Sequence, residues 1–286
     1  PACPLFNLLA GAIARTKCVW VELNSCYLQE LPRSRFILRT FHRLSRAALR
    51  TGQVSFLPVT SVIAQKEDLP PERTTIMPNG YSPPQQTISS ADAARIDEIR
   101  QDLNRAKREG KQIGILAASH IRAIHGIDQI ASFCQALPSL FIAGFGRFDR
   151  AEEQQIVDGL IRSGQCKWFG LVSPAVVAAV YAQVDFAWGI FGWHETNIEE
   201  VPPLKNREAL WFGVPTILGH ADPLEREPWA QPGLSRVESI GEFESALAHV
   251  ATVDRCRLAQ EARHNLSWEH VFEKAGVTPQ HASNMQ

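Results

Sequence analysis

Glu200-Val-Pro-Pro-Leu-Lys-Asn-Arg-Glu208-Ala-Leu-Trp-Phe-Gly-Val-Pro-Thr-Ile-Leu218 is the stretch on which the reading of this chain turns. Two carboxylates stand eight positions apart, and the second opens an apolar helical turn. Gly213-Val214-Pro215 then stops the helix, because glycine suits the left-handed exit and proline cannot continue the ladder. A short β run, Thr216 to Leu218, follows. The unit is strand, loop, helix, strand, with acidic groups at the helix mouth. A helix N-terminus offers free N–H groups and a partial positive charge, which suits an anion such as pyrophosphate. A carboxylate there accepts hydrogen bonds from sugar hydroxyls. The combination points to a nucleotide-sugar site.

Working outward, apolar runs at 113–118, 139–143, 166–169, 184–188, 214–218 and 234–237 predict strands. Helical segments near 126–136, 149–163, 173–182, 205–212 and 240–250 lie between them. Strands alternating with helices predict an α/β fold whose parallel sheet is covered on both faces. Ligands sit at the carboxyl ends of such strands, so the loops after 118, 143, 169 and 188 share one rim. Upstream, 5–15 and 34–51 read as helices, Lys17–Leu23 and Val54–Val59 as strands, and Thr60–Asp68 as a helix start. Thr74–Met77 reads as a strand ending at the turn Pro78-Asn79-Gly80. A polar stretch with Pro83-Pro84 leads into a charged helix, Asp92–Glu109. The expected domains are 1–82, 83–266 and a closing helix at 267–286.

The chain has 286 residues, enough for two α/β lobes, and 45% hydrophobic content supports a packed core. A formal net charge of −1 argues against nucleic acid as a partner. The six cysteines are scattered singly, with no CxxC pair and no zinc spacing, which reads as reduced thiols in a cytoplasmic protein. No Asp-x-Asp metal motif occurs, and no strand runs into GxGxxG, which argues against a dinucleotide-dependent dehydrogenase. No signal peptide is visible and no apolar run approaches the roughly 20 residues that span a bilayer. The chain opens on Pro1 rather than Met, which reads as a trimmed start.

Several segments, in consistent order, resemble the retaining GT-B glycosyltransferases of the large family four. Val19–Glu30 is similar to a late first-domain segment, and Pro78-Asn79-Gly80 to the close of that domain. Ile113–Gly126 resembles the opening strand and loop of the second domain, Leu140–Gly146 its glycine strand, and Trp168-Phe169-Gly170 the next. Pro202–Pro215 resembles the glutamate helix and Ser267-Trp268-Glu269 the closing helix. Asp185–Trp188 together with Lys205–Glu208 is closest to enzymes of exopolysaccharide assembly. The resemblance implies two Rossmann-like lobes with parallel sheets, the first lacking the early elements that carry a glycine-rich phosphate loop.

The resemblance also implies site roles. Glu208 takes the donor ribose, and Glu200 the transferred sugar, with Glu199 and Glu195 as alternatives for that first carboxylate. The family's loop here is glycine-rich, whereas Val201-Pro202-Pro203 lacks two N–H donors, leaving Leu204, Lys205 and Asn206 to meet the phosphates. His120 and His125 stand where the family has Arg and Lys, and Arg122 between them can carry the charge. Gly144 and Gly146 allow close approach to the nucleotide. Arg35, Arg39, Arg43, Arg46 and Arg50 recur at helical spacing. That basic face within 33–50 reads either as a solvated face or as a peripheral contact at the inner face of the membrane. The expected activity is metal-independent, cofactor-free hexosyl transfer from a nucleoside-diphosphate sugar to a saccharide or lipid-linked acceptor in polysaccharide biosynthesis, with retention. The alternative is a catalytically degenerate donor-binding domain acting as a partner subunit.

Overall fold

The computed structural model describes residues 19–24, 54–83, 87–192 and 200–277. The helices expected at 5–15 and 34–51, the basic face within 33–50, and both Glu195 and Glu199 lie outside these residues. The chain divides into two units, one of Pro1–Asn79 with Val271–Gln286 and one of Gly80–His270.

In the first unit, β1 (Val19–Leu23) and β2 (Val54–Pro58) pair in parallel, with Val21 opposite Phe56. Val21, Val54, Phe56 and Leu69 form its buried cluster. Thr60 caps α1 (Ser61–Lys66), its side chain accepting from the Ile63 N–H at 3.1 Å. The segment expected as a strand at Thr74–Met77 runs alongside β2 without becoming a full strand. Thr74 bridges Phe56 in parallel, and the Thr75 and Met77 N–H groups donate to Phe56 O and Pro58 O at 3.0 Å, directly after a 3-10 turn at Pro71–Arg73.

The second unit opens with α2 (Ser90–Arg108), fixed at its start by a capping box between Ser89 and Asp92. Ile96, Ile99 and Leu103 recur at helical spacing on its buried face. The chain then alternates: β3 (Gln112–Ile121), α3 (Ile127–Ala136), β4 (Leu140–Phe148), α4 (Ala151–Arg162), β5 (Cys166–Trp168), α5 (Pro174–Val180) and β6 (Phe186–Trp188). It continues through α6 (Leu204–Trp211), β7 (Thr216–Leu218), β8 (Leu234–Arg236), α7 (Ile240–Val250) and α8 (Arg255–Asn265) to α9 (Trp268–Lys274).

All six strands are parallel, in the order β5-β4-β3-β6-β7-β8. Successive side chains of a strand face opposite ways, and the two cores follow from that. Leu116, Ile142, Phe186 and Trp188 pack with α3, α4 and α7 on one face. Ile113, Ile115 and Ala143 pack with α2, α5 and α6 on the other. The strand and helix positions expected from 113 to 250 are all present, and the sheet is covered on both sides.

Candidate functional site

The strand order reverses at β3. The chain runs outward through β4 and β5, then returns to place β6 on the other side of β3 and runs outward again. In open parallel sheets the crevice beyond the carboxyl ends at such a reversal is where ligands bind. A pocket of about 230 Å3 occupies the carboxyl ends here. β3 supplies Ser119 to it, β4 Gly146, the segment after β5 Leu171 and Val172, and α5 Val177, while Glu208 reaches in from α6. Its wall is mainly apolar, and Leu171 is exposed.

Gly146 is where the backbone must come close. Its φ is 122°, and a Cβ there would lie 1.9 Å from Ala118 O. A register shift in β3 between Ala117 and His120 accompanies this approach. Gly144 is different. A Cβ on it would lie 2.0 Å from the Trp168 ring, so that glycine is required by packing, and the expected approach to a nucleotide is displaced by an indole.

Glu208 does not open its helix. α6 starts at Leu204 and has no acid in its first turn, so Glu208 lies one turn further in and meets the pocket from the side. Tyr81 Oη donates to its Oε1 at 3.1 Å, and Tyr181 donates as well. Burial raises the pKa of this carboxyl, and the two phenol hydrogen bonds oppose the rise. Tyr181 is held in turn by Arg255, which donates to Tyr181 O, Val184 O and Gly213 O at 2.9, 2.8 and 3.0 Å.

Lys205, in the first turn of α6, reaches to the chain just past the end of β6. Its Nζ donates to Gly189 O at 2.7 Å, and burial draws its pKa down to about 7. Its charge acts on both His125 and His220, so the three share one electrostatic neighbourhood. His125 is buried, and burial together with the Lys205 charge brings it down to about 3. At that value the ring is uncharged near neutrality, so His125 does not supply the positive charge that the resemblance implies for its position. His220 is brought down to about 4, mainly by burial. Its Nδ1–H donates to Ile190 O at 3.0 Å, and its buried Nε2 has no partner among the described residues.

His120 sits at the ends of β3 and β4 in an exposed network. Its Nδ1 lies 2.6 Å from Asp149 Oδ1, Arg147 Nη2 lies 2.7 Å from its Nε2, and Arg122 Nε donates to Asp149 Oδ2 at 3.1 Å. The Arg122 charge is thus shared with a carboxylate that the sequence reading did not connect to it. The hydrogen bond from His120, with the smaller effect of Arg122, holds Asp149 below the usual carboxylate range.

Two further residues are placed otherwise than expected. Asn206 is fully buried, with its Nδ2 donating to Asp222 Oδ2 at 2.9 Å and its backbone N–H to Pro203 O at 3.2 Å. Its backbone N–H and its side-chain amide nitrogen are both engaged inside the protein, and its full burial keeps it from meeting a phosphate. Glu200 is buried, its Oε2 paired with Arg226 and its Oε1 without a partner among the described residues. Leu204, first residue of α6, is exposed.

Tyr81, Tyr181, Arg226, Asp222 and Asp149 escaped the sequence reading. Tyr81 alone had a signal, since it directly follows Pro78-Asn79-Gly80. Among the described residues no group of three or more His, Cys, Asp or Glu side chains is placed to hold a metal ion. None of their helices is long and apolar enough to cross a membrane.

No family model matches the sequence, and no curated protein matches it. Solved structures do. A sucrose-phosphate synthase from Thermosynechococcus elongatus superposes with a TM-score of 0.64 at 15% identity, over 99% of this chain and 73% of that one. Anabaena Alr3699/HepE, solved in complex with UDP, gives 0.64 at 17% identity, over 99% and 75%. WaaG, a glycosyltransferase of lipopolysaccharide biosynthesis, gives 0.61 at 14% identity, over 93% and 74%. With its parallel sheets and the doubly wound order of the second unit, the chain has the α/β architecture of the GT-B glycosyltransferases.

Proposed function

We propose that this protein is a metal-independent, retaining glycosyltransferase of hexosyl type. It transfers a sugar from a nucleoside-diphosphate donor to a saccharide or lipid-linked acceptor in polysaccharide biosynthesis, in the cytoplasm. It needs no cofactor beyond the donor. The observation that carries the reading is the Glu208 carboxylate, fixed by two phenol donors at the mouth of an apolar pocket on the carboxyl rim. A carboxylate has about four acceptor positions, so two phenols leave room for the two hydroxyls of a ribose. The base lies against Leu171, Val172 and Val177, and Gly146 keeps the floor open to it. The diphosphate points toward Lys205 and the first turn of α6, where the Leu204 and Lys205 N–H groups replace those that Pro202 and Pro203 lack. Lys205 and Arg122 stabilise the departing diphosphate, the term on which such transfer depends most. A bound donor of this kind accords with the UDP held by HepE.

Calorimetry with UDP and GDP tests the reading. Glu208→Ala is expected to weaken the better ligand about a hundredfold, the size of losing two hydrogen bonds to a charged group. Unchanged affinity would remove Glu208 from the site. The second reading, a donor-binding partner subunit without transferase activity, is favoured by the neutral His125 and by the prolines before α6. Release of sugar from UDP-glucose, followed by NMR, separates the two: turnover excludes the subunit reading, and retained α configuration supports the first.

A further inference from the structure

Tyr81 enters the second unit one residue after the chain crosses into it at Asn79–Gly80. It is tied down by every part it has. Its backbone N–H donates to Leu266 O at 2.7 Å. Its ring meets Trp211 edge-on at 5.5 Å and Phe212 at 6.5 Å, both at the end of the helix that carries Glu208. Gly80, just before it, is pressed so closely to Trp268 that a Cβ would lie 2.8 Å from the indole. A side chain fixed at the backbone and along its ring has one place for its hydroxyl, and that place is Glu208 Oε1 at 3.1 Å. Nothing in packing demands the oxygen, because the aromatic contacts are made by the ring alone.

We propose that Tyr81 is a positioning residue: it aims the Glu208 carboxylate at the ribose diol and anchors that aim to the entry of the chain into the second unit. The proposal rests on the donor-site reading above. Two phenols, Tyr81 and Tyr181, clamp the carboxylate from within, so that its remaining acceptor positions face the pocket before ligand arrives. Without the Tyr81 hydroxyl the carboxylate keeps one clamp and gains rotational freedom, which ligand binding must then remove. The loss falls on recognition of the diol and leaves contacts to base and phosphate alone.

The experiment measures UDP and GDP, each against its 2′,3′-dideoxy analogue, by calorimetry on the whole protein. The wild type, Tyr81→Phe, Glu208→Gln and the double variant are compared, with thermal melts of each. The wild type is expected to prefer the diol form of one nucleotide by at least about tenfold, and Tyr81→Phe to lower that preference severalfold while the dideoxy analogue binds as before. Glu208→Gln should remove most of the preference, and adding Tyr81→Phe to it should change nothing further, as expected of residues acting through one another. A Tyr81→Phe protein with unaltered preference, or additive effects in the double variant, overturns the proposal while the donor site stands. Absence of any preference in the wild type, or its survival in Glu208→Gln, overturns the donor-site reading and this proposal with it. If Tyr81→Phe melts early, hydrogen exchange at the Tyr81 amide of the wild type and Glu208→Gln decides. Protection gained on adding nucleotide only when Glu208 is present supports the link, and equal protection in both proteins overturns it.

Discussion

Lys205 carries its own pH experiment. Burial lowers its pKa to about 7, so a fraction of the ammonium is deprotonated near neutrality in the unliganded protein. If it faces a diphosphate, the ligand restores the charge, and binding takes up a proton. The sign is fixed: nucleotide affinity should fall as pH rises through 7 and above. At pH 7.5 the binding enthalpy should differ between buffers of different ionisation enthalpy, a dependence that vanishes in Lys205→Met. Glu208 sets the opposite limb. Its pKa is raised by burial, so affinity should begin to fall on the acid side at a higher pH than the ordinary glutamate value of about 4.3 would give. Gly146 supplies a structural prediction at the same scale. Gly146→Ala puts a methyl 1.9 Å from Ala118 O at a φ of 122°, and should destabilise by about 3 kcal/mol or more and close the pocket. Gly110→Ala, at φ 75° with open space around it, should cost only the backbone strain of about 1–2 kcal/mol. Urea midpoints of the two variants check the contrast.

At the scale of the element, α6 is held by a device that its sequence does not advertise. Arg207 is fully buried and pairs twice with Asp222, at 2.5 Å from Nη1 to Oδ2 and 2.7 Å from Nη2 to Oδ1, and Asn206 joins on the same carboxylate. Burial acts to raise the Asp222 pKa, but Arg207 and the Leu224 N–H outweigh it and hold the group below its ordinary value. Asp222→Ala leaves a buried cation uncompensated and should cost about 3–5 kcal/mol in urea unfolding, whereas replacing both Arg207 and Asp222 with leucine should recover most of that loss. An unchanged midpoint in Asp222→Ala would show that the pair makes no net contribution. Because the folded pKa is depressed, this stabilisation is complete above the unfolded value of about 3.9 and drains away as pH falls through the folded one. The helix itself was legible, through its apolar turn and the Gly213-Val214-Pro215 stop. Its rotation was not. Lys205, Asn206, Arg207 and Glu208 are four polar neighbours that read alike in sequence, yet Asn206 and Arg207 turn inward to Asp222 while Glu208 turns to the pocket. The partner that decides this lies fourteen residues beyond Glu208, on the far side of β7.

At the scale of the whole molecule, all the residues lining the pocket belong to Gly80–His270. A nucleotide bound there stabilises that unit by mass action, about 2.7 kcal/mol at a hundred times its dissociation constant. For a unit of this size that is a rise in melting temperature of roughly 5–10 °C. Near-UV circular dichroism follows it, since Trp188 is buried in the core of this unit. A melt unmoved by saturating UDP and GDP would place both nucleotides outside the pocket.

The order of strands and helices from 113 to 250 is a property of the sequence alone. Burial on both faces of a parallel sheet imposes apolar runs, and the helices between them impose a second period, so both can be read locally. The same locality marked Gly146, whose conformation excludes a side chain, and the loop segments that reach the rim. What only the tertiary structure decided is which charges face solvent, which face each other and which face the pocket. Hydrogen bonds and desolvation depend on distance in space, and the pairs that matter here join residues far apart in the chain: Tyr81 with Glu208, Glu200 with Arg226, His120 with Asp149. Local periodicity determines that a side chain lies in or out of a layer, and the partner it finds there is set by the packing of elements that the sequence places far away.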